Sequence, residues 1–168
     1  MENFKEINVD DLKESAFKLI GKDWMLITAE KEGQVNTMTA SWGGLGVMWG
    51  KNVAYIVVRP QRYTKEFIDH EGRFTLTFFD KSFKKELGYL GSVSGRDEDK
   101  ISKSGLTLNN IKGKPYFEEG KIVIVCKKLY SQYLKPENFV DADLCNHWYP
   151  EKDYHEMYIA EVEEILVK

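Results

Sequence analysis

The sequence predicts a mainly β protein, an antiparallel barrel carrying short peripheral helices. Strand-like runs recur along the chain at Trp24 to Ala29, Val35 to Thr39, Val53 to Val58, Phe74 to Phe79 and Ile122 to Cys126, with a last long run from about His155 to Val167. The helical patterns between them are short. Strands and helices also fail to alternate regularly, as the crossover units of a parallel sheet would require.

The first element is "VDDLKESAFKLIG", Val9 to Gly21, which reads as a short amphipathic helix. Asp10 is placed to cap it, Leu12, Ala16 and Leu19 recur at helical spacing, and Gly21 stops it. Glu30 to Gly33 is a hairpin connection between the first two strands. In the fourth strand Phe74, Leu76 and Phe78 share one face and Thr75 and Thr77 the other. Short helices are expected at Thr64 to His70, stopping at Gly72, and at Phe83 to Leu90, ending near Gly91. A third starts with the capping pattern Ser94 to Asp97 and ends at Gly105. The Ile122 strand runs on toward Tyr133.

At 168 residues the chain reads as a single domain, residues 1–168, able to bury a core without staples. A net charge of −3 argues against nucleic acid as a partner, since such binders carry a basic excess. Met1 to Asp11 is mixed and acidic rather than a basic-then-apolar leader. No apolar run approaches the roughly 18 residues that span a bilayer, so no membrane partner is expected. Cys126 and Cys145 have neither CxxC spacing nor the density of a disulfide scaffold. The expected location is the cytoplasm.

The stretch "NTMTASWGGLGVMWG", Asn36 to Gly50, combines three hydroxyls, two tryptophans and four glycines. Small polar groups, bare backbone and flat rings together fit a flat, polar-edged ligand. The glycines do not make a dinucleotide turn: in "GLGVMWG" the third glycine, Gly50, falls one place late, and a strand rather than a helix follows. In "RPQRYTKEF", Arg59 ends a strand, Arg62 and Lys65 lie close by, and Thr64 is placed to cap a helix. That is a phosphate site in form, although the commoner reading of such residues alone is an ordinary capped helix with solvated cations. In "GSVSGRDEDKISKSG", Ser94 and Gly95 offer donors and Arg96 and Lys100 charge, or else a solvated helix face. Asp141, Asp143, Cys145 and His147 alternate, but match no common zinc spacing, and no metal is expected.

Together, "NTMTASWGG", "VRPQRYTKEFI", "GRFTLTFF", "SGRDEDK" and "DYHEMYIAEVEEI" resemble the flavin reductase-like family, in its flavoredoxin branch. Order and spacing match from about Lys18 to the C-terminus. The resemblance implies a Greek-key antiparallel split β-barrel, a homodimer, and FMN bound near the subunit interface. It places Thr37, Met38, Thr39, Ala40, Ser41 and Trp42 along the flavin, with the backbone of Ala40 and Ser41 toward its polar edge. Arg59, Arg62, Tyr63 and Thr64 would hold the phosphate and ribityl chain. Ser94, Gly95, Arg96 and Lys100 would close over the cofactor, and His155, the candidate catalytic residue, would lie near the flavin or nicotinamide. The implied activity is hydride transfer between NADH or NADPH and flavin. The alternative is a flavoredoxin-type FMN electron carrier that takes electrons from a redox partner protein. One departure is local: Tyr154 stands where many relatives have an acid before the histidine. Residues 139–155 are unusually aromatic, as a lid, a dimer contact or plain packing.

Overall fold

The computed structural model describes residues 4–168; residues 1–3, the start of the acidic Met1 to Asp11 segment, lie outside the described residues. In chain order, β1 (Lys5–Ile7), α1 (Ala16–Lys18), β2 (Met25–Lys31), β3 (Gln34–Ala40), β4 (Gly43–Met48) and β5 (Lys51–Val58) lead to α2 (Thr64–Glu71) and β6 (Arg73–Phe78). Then come α3 (Lys84–Ser92), α4 (Lys100–Ser104), β7 (Leu108–Ile111), β8 (Lys114–Phe117), β9 (Ile122–Tyr133), α5 (Ala142–Trp148) and β10 (Glu156–Val167).

One sheet runs β3-β2-β6-β9-β10-β5-β4, with β1 added beside β10, and every pairing is antiparallel. β7 and β8 form a separate hairpin. The sheet curls around a core that includes Ile27, Ile56, Phe67, Leu76, Phe78, Ile124 and Tyr158. The apolar face of β6 lies in that core as its alternation predicts. Its threonine face is buried as well, because β8 covers it and Thr75 donates to the Pro115 carbonyl at 2.6 Å. Among the described residues, no helix is long and apolar enough to cross a membrane.

Several turns follow from backbone chemistry. The β2–β3, β4–β5 and β7–β8 hairpins each close with two residues at positive φ, a side-chain-bearing residue and then glycine: Glu32-Gly33, Trp49-Gly50 and Lys112-Gly113. That is the two-residue turn whose twist matches antiparallel strands. The expected Glu30–Gly33 connection is therefore only its last two residues, with strand on both sides.

Three expectations change. Val9 to Gly21 is not one helix: a single 3-10 turn at Val9–Asp11 and a three-residue α1 flank an extended Ser15, and a wide turn runs past Gly21 to Asp23. Asp10 does not cap it. The chain is held instead by Asp23, 4% exposed and paired with Lys18 at 2.5 Å and Lys121 at 3.4 Å. Second, Ser94 to Asp97 is a turn. The helix starts six residues later than expected, at Lys100, with Asp99 accepting from the Ser102 N–H at 3.2 Å. Third, Gly43 to Met48, which falls between the expected strands Val35 to Thr39 and Val53 to Val58, is strand β4 along β5.

In β4 two of the three glycines, Gly43 and Gly44, serve packing within the sheet. A Cβ on Gly43 would stand 2.5 Å from the Tyr55 carbonyl oxygen, and one on Gly44 2.2 Å from the Tyr55 ring. Gly46 has open space. Gly43→Ala, which cannot avoid backbone, is expected to destabilise the protein by about 1–3 kcal/mol. Gly46→Ala should stay within about 0.5 kcal/mol of the parent. Urea midpoints of the two variants, compared with the parent, check both values.

Candidate flavin site

The end of β3, the turn into α2, the loop after α3 and the start of β10 converge on two adjoining clefts. The first, of about 180 Å³, is lined along one side by Met38, Thr39, Ala40, Ser41 and Trp42, and faces Val57, Arg59, Arg62, Trp148 and His155. The second, of about 210 Å³, shares Met38, Arg59 and Arg62 and continues past Asn36, Gln61, Tyr63 and Thr64 to the Ser92–Gly95 loop and Lys100. Among the described residues, no Asp or Glu lines either cleft. A neighbouring cleft of about 380 Å³ shares Asn36, Tyr63, Gly95 and Lys100 but includes Glu98 and Asp99, which makes it a poorer home for an anion.

Thirteen of the fifteen residues named from sequence line these clefts; Thr37 and Arg96 do not. The Thr37 hydroxyl is fully buried, 2.9 Å from Thr28 Oγ1 and 3.1 Å from the Ile27 carbonyl. Arg96 stacks over Tyr63 at 4.6 Å, pairs with Glu66 and donates to the Gln61 carbonyl at 3.1 Å. It therefore buttresses the α2 turn from outside. Thr64 is present but not as a cap. Tyr63 takes the cap position in helical conformation without a side-chain bond, and the buried Thr64 hydroxyl accepts from Asn36 Nδ2 at 2.9 Å.

The basic groups are held from behind. Arg59 pairs with Asp153, donates to the Trp148 carbonyl at 2.9 Å and lies 5.2 Å over the Tyr149 ring. Arg62 donates to the Gly91 carbonyl at 3.1 Å. Lys100, 4% exposed, donates to the Leu90 and Val93 carbonyls at 2.9 and 3.0 Å. Burial, with the Arg62 charge nearby, pushes its ammonium down to about 8. The loop it fastens presses on β3, since a Cβ on Gly95 would stand 2.2 Å from Asn36 Oδ1.

At the other end, Trp42 meets Trp148 edge-on at 4.7 Å and the His155 ring at 5.1 Å. Burial, then the Arg59 charge, pushes the imidazole down to about 4, so His155 is neutral near pH 7. Sequence reasoning did not single out Asn36, Val57, Gln61, Ser92 and Val93 as lining residues, and Trp148 was covered only as part of the aromatic tract 139–155. Strand alternation from Met38 points to Asn36. The others need the tertiary fold. Asp141, Asp143, Cys145 and His147 fall in or beside α5, and among the described residues no cluster of His, Cys, Asp and Glu could hold a metal.

With this geometry in view, comparison with known proteins is direct. Residues 17–168 match the family described as the flavin reductase like domain, and the chain belongs to that family. An FMN-binding domain of a flavin reductases-like enzyme from Shewanella baltica superposes with a TM-score of 0.72 at 20% identity, covering 98% of this chain and 77% of that one. The flavoredoxin of Desulfovibrio vulgaris gives 0.67 at 21% identity, covering 86% and 69%. A split barrel domain protein of Shewanella frigidimarina gives 0.70 at 18% identity, covering 91% and 72%. The fold is thus the mainly β split barrel of these proteins. In sequence, the protein YddH of Escherichia coli is 33% identical over 99 residues, 56% of this chain and 52% of that protein. The match thus spans about half the length of that relative.

The buried histidine sets a pH dependence. Its pKa is about 4 in the folded chain and 6.5 without the environment of the fold. Between those values the unfolded chain takes up a proton that the folded chain does not, so stability falls as pH drops from 6.5 to 4. The loss is on the order of 3 kcal/mol and is complete below pH 4. His155→Gln should remove this part of the acid limb in denaturation curves taken at stepped pH.

Proposed function

We propose that the groove binds FMN and that the protein is a flavin oxidoreductase that uses NADH or NADPH. The observation that carries this is electrostatic: Arg59, Arg62 and Lys100 line the groove and, among the described residues, no carboxylate does, in a chain of net charge −3. Lys100 is buried without a carboxylate partner, Arg62 stands at the solvent-facing rim with none, and a phosphate between them would relieve the Lys100–Arg62 repulsion. Arg62, Lys100 and the Ser92–Gly95 loop would hold the phosphate. Arg59 is already paired with Asp153 and would contribute less. Met38 to Trp42 would lie along the ring system, with the backbone of Ala40 and Ser41 at its polar edge and Trp42 at its end. Bound flavin supplies hydride chemistry, while the residues of this chain hold, orient and exclude water.

A second reading, a flavoredoxin-type carrier that exchanges electrons with a partner protein, is favoured by Trp148. It is 43% exposed and packed edge-on to Trp42, where a nicotinamide would have to stack. The two readings separate in an anaerobic absorbance titration of the FMN-loaded protein. Bleaching by NADH or NADPH is expected for the oxidoreductase, whereas bleaching by dithionite alone would identify the carrier. No uptake of FMN would sink both. Arg62→Ala should weaken FMN binding about 10- to 100-fold, the loss of one charge-assisted contact, read by fluorescence quenching of free flavin.

The protein is also proposed to act as a homodimer. Val47, Met48 and Trp49 at the tip of the β4–β5 hairpin are exposed, as are Tyr55 on β5 and Tyr130 on β9, and Trp49 lies 6.3 Å from Tyr130. Such a contiguous apolar patch is typical of a face that another chain covers. Light scattering should give twice the chain mass of 19.5 kDa, and a monomer that still binds FMN would rule the dimer out. The free thiols of Cys126 and Cys145 agree with a cytoplasmic location.

A further inference from the structure

Sequence leaves His155 without an obvious partner, because Tyr154 precedes it where an acid would stand. In the fold, Tyr154 turns to Cys145, 3.7 Å away, and the partner of the histidine comes from six residues upstream. The Tyr149 hydroxyl lies 2.8 Å from His155 Nδ1, both residues are buried, and the two rings meet edge-on at 5.5 Å. Tyr149 itself lines neither cleft, whereas His155 lines the first.

We propose that Tyr149 is a positioning residue for this site: its hydroxyl donates to His155 Nδ1 and holds the imidazole as the Nε2–H tautomer, which makes His155 a hydrogen-bond donor to the bound ligand. The direction of the bond follows from relative acidity. A phenol is a good donor and its oxygen a weak acceptor, while the sp² nitrogen of a neutral imidazole is the strongest neutral acceptor among protein side chains. With Nδ1 engaged as the acceptor, the one ring proton sits on Nε2. The imidazole is neutral at pH 7, and its only lone pair is taken, so it cannot serve as a general base.

The rest of the aromatic tract holds Tyr149 in place. Arg59 lies over one face of its ring, and Phe139 and Tyr154 pack against it at 5.8 and 5.0 Å. Its backbone N–H donates to the Cys145 carbonyl at 3.0 Å, closing α5. On the other side, the His155 carbonyl accepts from the Leu134 N–H at 2.9 Å, and Trp42 covers the imidazole. Residues 139–155 thereby bring a hydroxyl to the buried edge of the histidine.

The role assigned to the donor rests on the FMN reading, but the tautomer does not, so the two are tested apart. In ¹⁵N-histidine-labelled protein without flavin, long-range ¹H–¹⁵N correlations at pH 7 are expected to show His155 as Nε2–H with an acceptor-type Nδ1. A dominant Nδ1–H form in the parent protein overturns the proposal without any variant. Tyr149→Phe keeps the ring and removes the hydroxyl, so the Nδ1–H form should rise from a trace to a substantial fraction. An unchanged tautomer in a folded variant also overturns it, since packing alone would then set the ring. On adding FMN to the parent, the Nε2 resonance should move in step with binding measured by absorbance. FMN that binds and leaves Nε2 unmoved removes the donor role. A chain that takes up no FMN removes that role together with the flavin reading, while the tautomer result stands on its own.

Discussion

The pairing of β9 with β10 is the constraint on which the rest of the molecule depends. Each strand is twelve residues long, and they pair from Glu156 with Tyr133 to Val167 with Ile122. β10 then gives its first half to β5 and its last three residues to β1, while β9 gives its first half to β6. Register shifts at Ile159/Ala160 and Val162/Glu164 bend the ribbon where it changes partners. Because side chains alternate along a strand, a slip of one residue would turn Tyr158, Ala160 and Ile165 out of the core. His155, directly ahead of β10, is aligned with the cleft by the same register.

The long, apolar or cleanly alternating strands were legible from sequence. Phe74 to Phe78 carries the period of two, and Ile122 to Cys126 is the continuous β-branched run of a strand buried on both faces. β4 was not legible, since Gly43, Gly44 and Gly46 weaken any strand signal, and Gly43 and Gly44 are explained only by the closeness of Tyr55 beside them. Val9 to Gly21 has helical spacing, but its local preference is overruled by the buried Asp23 and its two lysines. Much of the lining of the candidate clefts was named in advance because the motifs that carry the family resemblance include whole runs of it, Met38 to Trp42 and Arg59 to Thr64. The sequence could not tell that the Thr37 hydroxyl turns to Thr28, that Thr64 answers Asn36 rather than the helix end, or that Tyr149 reaches His155. Each of these is a contact between distant segments or across a strand pair.

The groove concentrates positive charge in a protein that is acidic overall. Arg59 has Asp153 behind it, whereas Lys100 is held by the Leu90 and Val93 carbonyls, and Arg62 by that of Gly91. Neutral carbonyls orient a cation without neutralising it, so these two charges at the cleft wall are not cancelled by a paired carboxylate. The fold gives up stability to keep Lys100 there, which is visible in how far its ammonium is pushed down. Functional sites commonly store such uncompensated charge.

The walls of the groove come from four stretches widely separated in the chain: residues 36–42, 57–64, 92–100 and 148–155. No single stretch can form a binding surface until the sheet, α2 and α3 are docked, because every segment leans on another. Asn36 holds Thr64, Arg62 holds the end of α3, and Arg59 holds the tract before β10. Any ligand that fills the groove is therefore recognised by the folded chain alone. Its concentration adds to folding stability logarithmically, by mass action, so the lifetime of the protein is coupled to the supply of what it binds.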